Sequence, residues 1–299
     1  MRTEQADSGR GPVPRLRDPR TTQRARAVPV IWLNLVCLDA PLVAIAWLGV
    51  FARTFHVRIQ PGNAVALFLT AWLIYLGDRL ADSLLLRPGM PRSLRQDFCL
   101  RHREIWTAIL VLVAGFDAYV VWRATAAETF FVGAVVGLLA LIYLVLNHPF
   151  GRVWRTLPAK ELVIGFLFAV GTLVALLPNL PRTQPAFVIS AAMFAIVCSL
   201  NCISIAGWER ELDEAQGKVS IATRYPAAMR SAAKICGVVG LLCFAIAIAG
   251  RAALPILACL GLSAIALAWL NASRFEVDTK TALADLILLT PLVGLILLR

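Results

Sequence analysis

Asp78-Arg79-Leu80-Ala81-Asp82 closes one long apolar run, and Glu209-Arg210-Glu211-Leu212-Asp213 closes another. Acids four residues apart share one helical face, so each stretch offers two carboxylates to a single ligand. On an insertion scale one acid at a bilayer centre costs about 2.5 to 3.5 kcal/mol, so two together beside a membrane helix call for a compensating cation. Hard, all-oxygen coordination of this kind suits Mg2+ or Ca2+.

The chain that carries these acids has 299 residues, is 59% hydrophobic and only 16% charged, and has a mean hydropathy of +0.75. Soluble domains lie near roughly 45–50% apolar and 25% charged, so the composition predicts an all-α integral membrane protein. Apolar stretches near 29–52, 62–82, 105–122, 128–147, 161–179, 186–207, 231–249, 252–271 and 281–298 are each long enough to cross a hydrocarbon core of about 30 Å, which predicts nine transmembrane helices. Residues 1–28, rich in Arg and Pro and without an apolar run, read as a disordered basic tail, and 29–299 as a single membrane domain.

Cytoplasmic loops retain Lys and Arg, so the cations give an orientation. With Arg79 set aside, 22 fall in the tail and the loops after spans two, four, six and eight, against 6 on the other side. The N-terminus is therefore expected in the cytoplasm, with both acid pairs at the cytoplasmic ends of spans two and six. This fits a bacterial inner membrane. The net charge of +11 is thus topological, and no soluble domain is present to bind nucleic acid. The seven cysteines lack metal-finger spacing and read as small buried hydrophobes.

A helix C-terminus carries partial negative charge, so acids placed there need positive partners. Arg87, Arg92, Arg95, Arg101 and Arg103 follow the first pair, and Lys218, Arg224 and Arg230 follow the second. Acids that bind metal beside bases that grip anions point to a phosphate ligand. The acid-Arg-x-x-Asp pattern at both helix ends also hints at an internal repeat with the site between its halves. Arg79 and Arg210, each one position after the leading acid, read equally as donors to the anion and as interfacial snorkelling residues.

These motifs resemble those of the UbiA superfamily of intramembrane prenyltransferases. The family's N-x-x-x-D-x-x-x-D maps onto Ile74, Asp78 and Asp82, with Ile in place of Asn. Its second D-x-x-x-D followed by Gly-Lys maps onto Glu209, Asp213, Gly217 and Lys218, with Glu in place of the first Asp. Arg87-Pro88 matches the Arg-Pro that follows the first motif in many members. Tyr143-Leu-Val-Leu-Asn147 lacks the lysine of a Tyr-x-x-x-Lys motif. Leu38-Asp39-Ala-Pro-Leu-Val, Pro158-Ala-Lys160-Glu161 and Asn201-Cys-Ile-Ser-Ile-Ala-Gly-Trp208-Glu209 look like marks of a distinct branch.

The resemblance implies a nine-helix UbiA-like bundle around a central cavity. It implies an isoprenyl diphosphate and a lipophilic acceptor as partners, both drawn from the bilayer. Asp78, Asp82, Glu209 and Asp213 would hold Mg2+, while Arg87, Lys218 and Arg224 would bind diphosphate. Asp39 and Glu161 are the expected catalytic acids, chosen over Asp117 and Asp285 among those in or beside spans. Trp72, Tyr75, Tyr143 and Trp208 are expected either to line the cavity or to anchor helix ends at the interface. The competing expectations are a UbiA-like lipid-binding scaffold without catalysis and a cation-coupled transporter.

Overall fold

The structure, a computed structural model, describes residues 29–147, 159–179, 184–250 and 253–297, so the tail expected at 1–28 lies outside the described residues. Among these residues the chain is helical, with no strand. In chain order the helices are α1 Pro29–Leu35, α2 Asp39–Thr54, α3 Pro61–Leu84, α4 Leu94–Arg101, α5 Arg103–Ala124, α6 Ala127–Asn147, α7 Lys160–Leu173 and α8 Pro185–Trp208. Then come α9 Arg210–Ala215, α10 Ile221–Arg224, α11 Pro226–Met229, α12 Ala232–Gly250, α13 Leu254–Ala272, α14 Val277–Ile287 and α15 Pro291–Leu297.

Six of these, α3, α5, α6, α8, α12 and α13, are long and apolar enough to cross a membrane, which makes this an integral membrane protein. The remaining three apolar stretches differ from the uninterrupted spans expected of them. The first is broken between α1 and α2, the fifth stops at Leu173 after 14 residues, and the ninth is broken between α14 and α15.

Proline accounts for all three departures. Its ring clashes with the carbonyl four residues earlier, and it has no N–H to give. Pro41 sets that clash at Cys37, Pro178 at Val174 and Pro291 at Ile287, and each lies at an observed break. The freed carbonyls then need donors, because lipid supplies none. At the last break Trp47 Nε1 donates to Leu288 O at 2.9 Å, and Ser263 Oγ donates to Ile287 O at 2.9 Å. At the first, Trp72 Nε1 donates to Val36 O at 3.2 Å.

The main core forms where α2, α8, α13 and the α14–α15 break meet. Trp47, Phe51, Phe194, Ile256 and Leu260 are fully buried there, and the Trp47 and Phe194 rings lie 4.6 Å apart. α8 packs against α7, α12, α13 and α14, which makes it the central pillar. On the outside, large apolar side chains such as Leu112 (72% exposed), Trp122 (82%) and Ile248 (75%) face away from the bundle, an arrangement that lipid tolerates and water would not.

Close helix contact depends on small residues. A Cβ on Gly165 would lie 2.5 Å from the backbone of Ser199, so α7 and α8 touch main chain to main chain. Gly165→Ala is expected to lower the melting temperature in detergent, with an overpacking cost of about 1 to 3 kcal/mol. Gly115→Ala, whose Cβ would meet nothing within 4 Å, is expected to leave it unchanged or raise it. Calorimetry of the two purified variants checks this, and equal melting temperatures would remove the close contact.

Candidate functional site

A cavity of about 970 Å3 runs between α2, α3, α6, α7 and α8. Along α3 it is lined from Asn63 to Asp82, about 28 Å at 1.5 Å per residue, so it follows most of the depth of a membrane. Its wall is largely apolar, with Ala66, Leu67, Ile74, Leu167, Phe168, Gly133, Gly137 and Gly171 among its residues.

One end is charged. Asp78, Asp82, Glu209 and Asp213 all line it, so the two acid pairs separated by more than a hundred residues open on one space. Arg87, Lys218 and Glu161 line it as well. Arg224 does not; it is exposed on α10. Asp39 also stays off the cavity wall, buried at the start of α2, where it accepts from Asn34 Nδ2 at 2.6 Å and from the Ala40 N–H at 3.0 Å. Glu161 is buried, and its carboxylate accepts from the Ile221 N–H at 3.3 Å, tying the start of α7 to the start of α10.

The first pair sits in the last turns of α3, on one continuous helix. The second does not. Glu209 ends α8 and begins α9 with φ −88° and ψ 5°, and the two helices stay in register because the Asp213 N–H still donates to Glu209 O at 2.9 Å. α9 then ends in a Schellman turn. The Lys218 N–H reaches Asp213 O at 2.8 Å and the Gly217 N–H reaches Glu214 O at 3.1 Å, with Gly217 at φ +68°. This turn gives the Gly-Lys spacing a physical reason. Gly217 supplies the left-handed residue that carries Lys218 back to the cavity, where its Nζ bonds Asp82 Oδ1.

Helix α4 bridges the two pairs. A capping box starts it, with Ser93 Oγ accepting from the Gln96 N–H and Gln96 Oε1 accepting from the Ser93 N–H. From its first turn Arg95 forms an ion pair with Glu209, and Gln96 Nε2 donates to Asp82 Oδ2 at 2.8 Å. Gln216 Nε2 donates to Gln96 Oε1 at 3.0 Å, which closes the link between the segments after the two motifs. Burial pushes the Glu209 carboxyl above its ordinary range, against the pull of the adjacent Arg95 guanidinium. Arg95 Nε and Nη1 are buried without hydrogen-bond partners.

A second polar group lies deeper. Asp285, on α14, lines the cavity and gathers Asn34, Tyr75 and Asn201 around it. Arg79 is drawn inward rather than to the interface; it donates to the Tyr75 hydroxyl. Of the four aromatic residues, Tyr75 and Tyr143 line the cavity. Trp72 closes the first helix break, and Trp208 faces Lys280 Nζ, 5.5 Å from its ring centre.

The four acids, Arg87, Lys218 and Glu161 named from the sequence line the cavity; Arg95 was named only among the cations after the first pair, Asp285 was weighed and not chosen, Asn201 appeared only in a branch motif, and Gln96 was not singled out. For Arg95 and Gln96 a signal existed: Ser93-x-x-Gln96 is a helix start, and it places both residues in a first turn facing the acids. The contacts of Asn201 and Asp285 span 84 residues and leave no local trace.

The donor set at the charged end is all oxygen, as Mg2+ prefers. Among the described residues no three acid, His or Cys side chains converge on one point. Mg2+ usually takes one or two carboxylates and completes its shell with phosphate oxygens and water, so two acid pairs fit metal that arrives with a phosphate ligand.

No family model matches the chain, and no curated protein matches it. A solved structure described as that of digeranylgeranylglyceryl phosphate synthase in membranes is similar to it, with 13% identity, 93% of this chain and 98% of that chain covered, and a TM-score of 0.49. A likeness of that size carries no argument about chemistry.

The Arg95–Glu209 pair is mostly shielded from solvent. Arg95→Met should cost stability equivalent to about 3 to 5 kcal/mol by leaving a buried carboxylate without its cation. Adding Glu209→Gln should restore part of that loss. Thermal unfolding of the single and double variants checks the coupling, and strictly additive losses would dissolve the pair.

Proposed function

We propose that this protein is a UbiA-like prenyltransferase that moves a prenyl group from an isoprenyl diphosphate to a lipophilic acceptor within the membrane, with Mg2+. The observation that supports this reading above all is the amphiphilic shape of the cavity. A single space of membrane depth carries both acid pairs and several cations at one end and an apolar wall along the rest. An anionic head joined to a long apolar chain has that same division of polarity.

The charges support the need for metal. At this end Asp78, Asp82, Glu161, Glu209 and Asp213 stand against Arg79, Arg87, Arg95, Lys160 and Lys218, so the lining is close to neutral. A bare diphosphate would find no net attraction, and a divalent cation supplies it. Asp78 and Asp82 from one side, with Glu209 and Asp213 from the other, would hold Mg2+. When bound, it supplies positive charge to the leaving oxygens.

The protein's own groups carry the remaining work. Lys218, Arg87 and the unpaired Nε and Nη1 of Arg95 donate to diphosphate oxygens. The allylic carbon–oxygen bond breaks with its electron pair leaving on the diphosphate. The electron-rich face of Tyr143 offsets the charge that develops on carbon, while the Tyr75 ring is covered by the Arg79 guanidinium, 4.7 Å from its centre. The apolar wall keeps water from intercepting it before the acceptor attacks. The same proposal includes nine crossings of a bacterial inner membrane, a cytoplasmic N-terminus following the tail 1–28, and the acid pairs on the cytoplasmic side.

A second reading, a lipid-binding scaffold, is favoured by one observation. Asp82 and Glu209 already have cations of their own in Lys218 and Arg95. Purified protein given Mg2+, a series of prenyl diphosphates and a membrane-lipid extract separates the two. Prenyl transfer predicts Mg2+-dependent diphosphate release that EDTA abolishes and that Asp78→Ala or Asp213→Ala lowers by about a hundredfold or more. Binding of prenyl diphosphate without release under any combination would leave the scaffold.

A further inference from the structure

At the end of the cavity opposite the acids the lining turns polar again, this time without charge. Asn63, in the first turn of α3, and Thr129, in the first turn of α6, are 7% and 6% exposed, and both line the space. The fold brings these two helix starts to one end. A Cβ on Gly62 would lie 2.3 Å from Ala124 Cβ, so the start of α3 touches the end of α5, and only Thr125 and Ala126 separate α5 from α6. Asn63 Oδ1 and Thr125 Oγ1 are enclosed and reach no ligand. Asn63 Nδ2 and Thr129 Oγ1 are not enclosed, and neither bonds any described group, so they are the atoms this end presents. Elsewhere on the wall such groups are used internally. Thr70 donates to Asp117 Oδ2 and Thr172 to Phe168 O, each at 2.8 Å. Two unpartnered polar groups together at the end of an apolar space call for an oxygen to bond them.

We propose that Asn63 and Thr129 form a second subsite, which takes an uncharged oxygen group, hydroxyl or carbonyl, at the far terminus of the chain whose diphosphate sits at the acids. The inference rests on the prenyl-transfer reading and adds to it a substrate whose chain is oxygenated at its tail. Continuity supports it. Asn63, Leu67, Ile74, Asp78 and Asp82 follow one face of α3 and all line the same cavity, so one extended ligand can lie along them from end to end. From Asn63 to Asp78 that face runs about 22 Å at 1.5 Å per residue.

Charge decides which terminus fits. Arg58, Arg123 and Glu128, the described charged residues nearest in sequence to this end, are exposed and off the wall, so an ionised terminus would find no counter-charge. A hydrocarbon terminus would cover Asn63 Nδ2 and Thr129 Oγ1 without bonding either, which leaves their desolvation uncompensated. An uncharged oxygen meets both demands. A hydroxyl accepts from Asn63 Nδ2 and donates to Thr129 Oγ1, and a carbonyl accepts from both.

The test uses the full-length protein in lipid nanodiscs with Mg2+. Geranyl, farnesyl, geranylgeranyl and geranylfarnesyl diphosphate are each compared, by calorimetric titration, with the analogue bearing a hydroxyl on its last carbon. At the chain length that reaches Asn63 the hydroxyl analogue should bind about tenfold tighter than its parent, the worth of one hydrogen bond. Pairs that are too short should show no preference. Thr129→Val and Asn63→Leu should each bring the two affinities together. Should Asn63→Leu fail to fold, the near-isosteric Thr129→Val carries the test alone. Parent and analogue binding equally at every length, or a preference that the folded variants retain, would overturn the subsite and leave water as its occupant. A membrane-lipid extract is then added and diphosphate release followed. Release from the parents without any hydroxyl preference in binding would overturn the subsite and keep prenyl transfer. A preference that the variants abolish, with no release from any compound, would keep the subsite and overturn prenyl transfer, and no binding of any compound would overturn both.

Discussion

A carboxylate held near hydrocarbon must find a cation, a proton or a metal, and the charged end of this protein is organised around that demand. α3 and α8 deliver acids to the same end of one cavity; α8 carries no cation, and Arg79 of α3 is bonded to Tyr75. The matching charges come from short segments beyond the membrane helices. Arg95 comes from the first turn of α4, and Lys218 comes from the residue after a left-handed glycine. Each crosses to the other motif's acid, Arg95 to Glu209 and Lys218 to Asp82. The two halves of the chain are therefore locked together by electrostatics where a polar cavity would otherwise splay them apart.

Most of the membrane architecture was legible from hydropathy alone, because long apolar runs have few other fates. The three stretches that departed from it show where the signal fails. A hydropathy window weighs transfer energy, to which Pro41, Pro178 and Pro291 contribute little, yet each removes a backbone bond and forces a carbonyl to find another donor. Trp47 and Ser263, which satisfy the break before Pro291, lie in sequence far from it. The prolines could have been read as breaks. Their remedies could not, since they depend on which helices meet.

The site divides in the same way. The acid pairs, Arg87 and Lys218 stood out because charge beside an apolar run is conspicuous and because the Gly-Lys spacing reflects a local turn. Asp39 was equally conspicuous, and the fold turns it away from the cavity to Asn34. Asp285 was passed over and the fold brings it to the wall. The difference between them lies in the contact of α14 with α8, which leaves no pattern in the residues near Asp285.

The glycines along the apolar wall carry one more consequence. At Gly137 a Cβ would meet nothing within 4 Å, and at Gly133 and Gly171 it would meet only ordinary contacts. The wall is thin because side-chain mass is missing there, not because helices are packed apart. A single larger residue at any of these positions would shorten the apolar space from the side without disturbing the ion pairs at its mouth. The charged mouth and the apolar depth are thus separable in this fold, so that one can drift in evolution while the other stays in place.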